Sequence, residues 1–184
     1  FFVYTGEFLD LRKSNIEYPA YSSNTIKFIK SFEENGLSAS RSGNVFKFYH
    51  LDGIHQPYTF DERLDEDDGN YTAYDVAAGN NELLRRYFEA LKENGVYDCS
   101  TIIIMSDHGH VDYSQNPIFL VKNIDEQHDF AISEKEMSWE YLDDIWIALA
   151  NGNDIDEEFI FSCQSQTGSR RFLYYSWDDA WARE

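Results

Sequence analysis

Residues 101–110, with the sequence TIIIMSDHGH, join a run of apolar residues directly to a group of polar side chains. Four consecutive apolar residues, three of them isoleucine, are typical of a strand that is buried on both faces, as in a parallel sheet covered by helices. Ligands bind at the carboxyl ends of such strands. Asp107 offers a hard oxygen there and His108 an imidazole nitrogen, and both side chains are able to bind metal ions. The pattern therefore predicts a site for hydrolysis or group transfer.

A plainer interpretation of these residues is a strand followed by a polar turn, in which Asp107 caps the next segment and the histidines are solvated. A second segment favours the functional interpretation. Residues 45–58, VFKFYHLDGIHQPY, begin with a predicted strand at 45–49 and continue through His50 and His55. Two predicted strands that are each followed by histidines indicate a site more strongly than one motif does.

Three segments in this region resemble a known family. They are HLDGIHQPY at residues 50–58, SDHG at 106–109 and NPIFLVK at 116–122. In sequence and in order they resemble the later part of the sulfatase and phosphoglycerol/phosphoethanolamine transferase branch of the alkaline phosphatase superfamily. The resemblance covers about residues 45–122, and the Asp-His-Gly element is its most specific part. It implies an alkaline-phosphatase-like α/β fold with a mostly parallel sheet flanked by helices.

The resemblance also implies roles for individual residues. In that branch the Asp-His pair binds a divalent metal, and the histidine of a His-x-Pro element contacts the phosphate or sulfate group of the substrate. Asp107 and His108 would then be ligands of manganese or zinc, with calcium as a third candidate, and His55 would be the catalytic histidine. His110 stands where the branch usually has Glu and is a candidate metal ligand, acid or exposed side chain. His50 is either an additional site residue or a histidine packed at the end of a strand.

The nucleophile of that branch, a Thr, Ser or modified Cys, lies in an N-terminal part that we do not find in this sequence. We therefore expect residues 1–184 to form a single domain that is the C-terminal portion of a catalytic domain. The predicted strand at 1–5 would follow the missing segment. An incomplete sheet exposes a strand edge, which favours a homodimer. We also expect no meaningful turnover from this chain alone, because it lacks the nucleophile.

Composition excludes several functional classes. The formal net charge of -19 would repel nucleic acid and anionic membrane surfaces. Two cysteines make neither a disulfide framework nor a paired-cysteine zinc signature. No run of apolar residues is long enough to span a membrane. The alternatives to an enzyme are an acidic, aromatic-rich binding module and a catalytically silent relative that keeps the fold.

The resemblance implies a location and a substrate class as well. Proteins of that branch act at the extracellular face of the membrane or in the cell envelope, and many carry membrane spans before the catalytic domain. The substrate would be a phosphate or sulfate ester, such as a lipid head group or an envelope glycan. Of these two ester classes, the segments at 50–58 and 116–122 favour phosphate esters.

Apolar periodicity and capping residues predict the remaining elements. Helices are expected at 24–35, 75–94 and 138–150, each followed closely by a glycine, with Ser138 as an N-cap. Strands are expected at 1–5, 45–49, 101–105 and 118–121, with an edge strand at 171–177. The acidic run at 61–70 is expected to be a solvated surface loop.

Overall fold

The computed structural model describes residues 24–37, 43–66, 70–109 and 116–167. It divides the chain into two compact units, Phe1–Tyr97 and Asp98–Glu184. Two such units can make up one domain, so the single-domain interpretation stays a prediction. The predicted strands at 1–5 and 171–177, residues 67–69 of the acidic run, and His110 lie outside the described residues.

The described helices of the first unit are α1, Asn24–Asn35, and α2, Ala73–Glu93. Both confirm the sequence predictions, and α2 begins two residues earlier than expected because of its capping box. The Thr72 hydroxyl accepts a hydrogen bond from the backbone N–H of Asp75 (3.3 Å), and the Asp75 carboxylate accepts one from the N–H of Thr72 (2.8 Å). The bond from the Thr72 N–H holds the pKa of Asp75 below its usual value.

The core of the first unit lies between the apolar faces of α1 and α2 and the irregular segment that connects them. Burial of side chains of this size stabilises a fold by about 1.5–3 kcal/mol each. Gly79 lets α2 approach the connecting segment closely, because a Cβ atom there would lie 2.4 Å from the carbonyl oxygen of Asp61. The buried residues are Ile26, Ile29, Phe60, Leu64, Val76 and Leu83.

The second unit begins with a two-stranded antiparallel sheet in its described part. Strand β1, Ile102–Met105, pairs with β2, Phe119–Lys122, so that Ile102 lies opposite Lys122 and Met105 opposite Phe119. A short 3-10 helix at Trp139–Tyr141 leads into α3, Leu142–Ala150, which confirms the predicted helix. The Ser138 hydroxyl caps this region as expected by accepting a hydrogen bond from the N–H of Glu140 (3.3 Å).

A further helix, α4 at Glu157–Thr167, was not predicted. Asp156 caps it, since its carboxylate accepts a hydrogen bond from the backbone N–H of Phe159 (2.8 Å). Helices α3 and α4 pack with the 3-10 helix and the strands into the core of the second unit, whose buried residues are Tyr141, Ile145, Ala148, Ile155, Ile160 and Cys163. None of the helices in the described ranges combines the length and the apolar character that a bilayer-spanning helix requires.

Two predictions about the sheet need correction. The strands predicted at 101–105 and 118–121 exist, but the expected parallel arrangement is wrong for this pair, which is antiparallel. Parallel neighbours need a long crossover connection, usually a helix, and residues 106–109 and 116–118 between these strands form none. Both strands are half-buried along their whole length, so the expectation of a strand buried on both faces is also wrong.

The predicted strand at 45–49 is not formed. This segment is irregular, and the side chains of Val45, Phe46, Phe48 and Tyr49 are between 38% and 62% exposed. Aromatic and β-branched composition favours a strand only where the side chains pack on a sheet face. Residues 45–49 therefore form an irregular surface segment that precedes the turn at 52–55.

We expect Gly79→Ala to destabilise the first unit by about 1–3 kcal/mol. The new Cβ would also lie 2.7 Å from the ring of Phe60, which is 1% exposed and has little room to move. Urea unfolding followed by circular dichroism measures the effect. Asn81→Ala, on the exposed side of the same helix, is the matched control and should leave stability unchanged or slightly raised. Equal stabilities of the Gly79→Ala variant and the wild type would contradict the close approach.

Candidate functional site

The candidate site in the second unit starts where β1 ends. Ser106 extends the pairing of the strands by one step, because its backbone N–H donates to the carbonyl of Ile118 (3.1 Å) and its hydroxyl accepts from the N–H of Ile118 (3.0 Å). The next residue, Asp107, is exposed. The sheet thus holds the backbone up to the residue before the predicted metal ligands.

Asp107 is held from two sides. Its carboxylate oxygen Oδ1 accepts a hydrogen bond from the backbone N–H of His108 (3.0 Å), and its carbonyl accepts one from the indole Nε1–H of Trp139 (3.0 Å). The Trp139 ring itself packs edge-on against Phe119 of β2, with the ring centroids 5.8 Å apart. The 3-10 helix and β2 together therefore fix the backbone of the Asp-His-Gly segment.

The orientation of the His108 ring follows from its own backbone. Ring atom Nδ1 lies 2.5 Å from the carbonyl oxygen of Gly109. A carbonyl oxygen only accepts hydrogen bonds, so Nδ1 carries the proton and Nε2 holds the lone pair in the neutral ring. Nε2 lies 3.7 Å from Oδ2 of Asp107, and both side chains are mostly exposed, at 67% and 79%.

This separation suits a shared cation. Zinc–ligand distances of about 2.0–2.2 Å place two ligands of one tetrahedral ion roughly 3.4 Å apart. Asp107 Oδ2 and His108 Nε2 are close to that spacing at 3.7 Å. Within the described ranges no group of three or more potential metal ligands occurs. The assignment of a metal to Asp107 and His108 stays a prediction.

Two further candidate histidines, His50 and His55, belong to the first unit. His50 and His55 are both exposed, and the His50 ring lies 6.5 Å from that of Phe48. His55 follows a turn in which its backbone N–H donates to the carbonyl of Asp52 (3.0 Å). Its ring atom Nδ1 pairs with the carbonyl of Gln56, so in the neutral ring Nδ1 carries the proton and Nε2 holds the lone pair.

His55 also lines a shallow, open depression. This depression has a volume of about 460 Å³, and His55 shares its wall with Gln56, Pro57 and Tyr58. An open depression beside an imidazole can receive a charged group together with part of the moiety attached to it. The structure thus brings Asp107 and His108 together in one unit and places His55 beside a depression in the other. Convergence of all three residues stays a prediction.

The fifth histidine, His128, is on the surface. Its ring donates from Nδ1 to the carbonyl of Asp129 (2.7 Å), and Nε2 pairs with Glu126. The bond to the Asp129 carbonyl and the neighbouring Glu126 carboxylate raise the pKa of His128. Because Glu126 also accepts a hydrogen bond from the N–H of Asn123, this histidine belongs to the turn that ends β2.

Sequence reasoning missed the residues that support the candidates. Trp139 was expected only as an apolar position of a helix, and nothing in its sequence context indicates a bond to a residue 32 positions earlier. The same holds for Asp52 and Asn80, which hold the turn before His55 through contacts 27 or 28 positions apart. Such pairings depend on how the elements pack, and local sequence does not encode them.

Comparison with known families gives one match. Residues 30–160, more than half of the chain, match the family described as type I phosphodiesterase / nucleotide pyrophosphatase, which lies within the alkaline phosphatase superfamily. The matched region contains all five histidines and Asp107. Comparison with curated proteins gave no match, and comparison with solved structures gave none either.

We expect Trp139→Phe to loosen the Asp-His-Gly segment while the second unit stays folded. The substitution removes the hydrogen bond to the Asp107 carbonyl, worth about 0.5–1.5 kcal/mol, and keeps an aromatic ring against Phe119. Amide hydrogen exchange at residues 107–109 measures the change. Phe119→Leu separates the two contacts, since it removes the ring contact and keeps the indole donor, and it should raise the exchange less than Trp139→Phe does. Equal exchange in wild type and Trp139→Phe would show that the indole does not hold the segment.

Proposed function

The chain belongs to the type I phosphodiesterase / nucleotide pyrophosphatase family, and we propose from that premise that it contributes to a metal-dependent hydrolase or transferase acting on phosphodiesters. The observation that carries the proposal is the pair Asp107 and His108, whose ligand atoms lie 3.7 Å apart directly after β1 and within the matched region. An oxygen and an imidazole nitrogen suit manganese or zinc better than calcium, which prefers an all-oxygen shell.

The proposed roles follow from the geometry of each residue. Asp107 would bind the cation through Oδ2, because Oδ1 already accepts a bond from the His108 N–H. His108 would bind it through Nε2, because Nδ1 donates to Gly109. A carbonyl that accepts the Nδ1–H in this way fixes the tautomer and the orientation of a ligating histidine. When bound, the cation would offset the negative charge that spreads over the phosphoryl oxygens during displacement.

His55 would act at the phosphate itself. Since Nδ1 donates to the Gln56 carbonyl, Nε2 is the atom that would face the phosphate. In the doubly protonated imidazolium, the Nε2–H would donate a hydrogen bond to a phosphate oxygen or transfer its proton to the leaving group, which leaves the neutral ring. The depression beside it would receive the group attached to that oxygen. His50 and His110 remain candidates for additional contacts.

Phosphate esters are the preferred substrates over sulfate esters. The family match names phosphodiesterases and pyrophosphatases, and this supports phosphorus chemistry. A lipid head group or an envelope glycan at the outer face of the membrane is the finer proposal, and it rests on the resemblance of residues 50–58 and 116–122 to the phosphoglycerol and phosphoethanolamine transferases. A silent relative that binds the ion or the phosphate without turnover is the alternative.

Metal binding can be measured on the chain directly. We expect titration calorimetry with Mn²⁺ or Zn²⁺ to show one weak site, whose affinity falls at least about tenfold in Asp107→Ala and in His108→Ala, equivalent to about 1.4 kcal/mol. With a net charge of -19 the chain attracts cations non-specifically. Glu134→Ala is therefore the charge-matched control, because Glu134 is an exposed acid of the same unit. Equal losses in Glu134→Ala and Asp107→Ala would contradict a specific site.

Substrate class is tested with a form of the protein that includes the expected N-terminal segment and its nucleophile, called the full-length protein below. We expect it to cleave bis(4-nitrophenyl) phosphate in the presence of manganese, and both removal of the metal and Asp107→Ala should abolish the activity. Cleavage of 4-nitrophenyl sulfate alone would refute the preference for phosphate. Binding of metal without turnover of either ester would favour the silent relative.

A further inference from the structure

His55 follows a short turn that is fixed at its first residue, Asp52. The backbone N–H of His55 donates to the carbonyl of Asp52 (3.0 Å), and Gly53 has a φ of +59°, which glycine adopts without strain. Three peptide bonds and one hydrogen bond thus connect the two residues. The position of the His55 backbone therefore depends on where Asp52 is held.

Asp52 is bound to the N-terminus of α1. Its carboxylate oxygen Oδ2 lies 2.5 Å from the backbone nitrogen of Asn24 and 3.5 Å from that of Thr25. In return, the backbone N–H of Asp52 donates to the hydroxyl of Thr25 (3.1 Å). The first N–H groups of a helix have no partner within the helix, and a carboxylate there satisfies them and interacts favourably with the helix dipole. Asp52 therefore caps a helix that lies 27 residues before it.

A second anchor comes from α2. The side-chain amide of Asn80 donates both to the carbonyl of Gly53 (3.1 Å) and to the carbonyl of Val76 in its own helix (2.8 Å). Thr25 and Val76 belong to the interior of the first unit, with exposures of 0% and 1%. The turn is thus tied to one buried residue of α1, Thr25, and to α2 through Asn80, whose amide also bonds the buried residue Val76.

These contacts indicate that Asp52 does not act on the substrate directly. Its carboxylate is occupied by N–H groups of α1, so it acts on His55 through the backbone of the turn. We propose that Asp52 is a positioning residue for His55: by binding the N-terminus of α1 it fixes the turn that presents the imidazole to a phosphate oxygen. The inference rests on the proposed function, in which His55 contacts the phosphate. Asn80 supports the same turn from α2.

A positioning role predicts a particular pattern of kinetic effects. Misplacement of a catalytic group by about 1 Å can cost on the order of 100-fold in rate. We therefore expect Asp52→Ala to lower kcat/KM of the full-length protein about 10- to 100-fold with bis(4-nitrophenyl) phosphate. Asp52→Asn keeps one acceptor oxygen for the helix N–H groups, and it should recover part of the loss. Glu62→Gln, an exposed acid in the same unit, is the control and should retain wild-type kinetics.

The decisive experiment is a double-mutant cycle with His55→Ala. If Asp52 acts through His55, then Asp52→Ala should change kcat/KM less than about twofold once His55 is already alanine, because interacting residues are non-additive. A full loss from Asp52→Ala in that background would overturn the inference, even where the proposed function survives. A wild-type rate in His55→Ala alone would instead remove the role proposed for His55, so the two failures are distinguishable.

A second measurement does not depend on turnover. In the 184-residue chain, the imidazole ¹⁵N and ¹H resonances of His55 should shift and broaden in Asp52→Ala and keep their wild-type positions in Glu62→Gln. Thermal unfolding of the same samples tests whether the Asp52 variant is folded. Unchanged His55 resonances in folded Asp52→Ala would overturn the inference.

Discussion

The pairing of β1 with β2 determines where the second unit presents its polar side chains. Successive side chains of a strand point to opposite faces of the sheet. A shift of register by one residue would therefore move all the side chains of β1, including Ile103, to the opposite face. The observed register brings Met105 opposite Phe119 and continues through the Ser106 bonds to Ile118. Phe119 in turn carries Trp139, whose indole holds the Asp107 carbonyl. The register of this strand pair thus determines where β1 ends, and it places Phe119 where Trp139 can bond the carbonyl of Asp107.

The sequence predicted those parts of the fold that depend on local patterns. Helices α1, α2 and α3 were predicted because apolar residues repeat at helical spacing, glycines follow their ends and Ser138 marks the start of the last one. The Thr72 cap of α2 was not predicted. Strand direction was not predictable, since direction depends on how the chain returns and each apolar run looks the same in either orientation. Residues 45–49 were misassigned because their composition suits a strand, whereas their side chains lie on the surface. Helix α4 was missed because its apolar residues show little helical periodicity and its cap, Asp156, was not recognised.

The candidate site divides in the same way. Asp107 and His108 are neighbours in sequence, so their proximity follows from local backbone, and the bonds that orient them reach only the next residue along the chain. The residues that stabilise this arrangement from outside are distant in sequence. The side-chain contacts of Trp139 and Asp52 cannot be predicted from periodicity or from a motif. A hydrogen bond between two separate elements depends on how those elements pack together. Candidate ligands within a short motif can therefore be predicted from the sequence, whereas the distant residues that position them become apparent only in the structure.

Under the proposed function, the charge of the chain gives a reason for a cation at the site. A phosphodiester carries a negative charge, and the chain has a formal net charge of -19, so the overall field opposes binding. Several basic side chains are already paired with carboxylates, among them Arg63 with Asp61, Arg85 with Glu82 and Glu89, and Arg86 with Glu33. The bonds from Arg85 and Arg86 lower the pKa of Glu82 to about 2. A divalent ion held by one carboxylate and one neutral imidazole would instead leave a local charge of about +1 at the strand end. Within a screening length of about 8 Å at physiological salt, that local charge would outweigh the more distant acids of the surface.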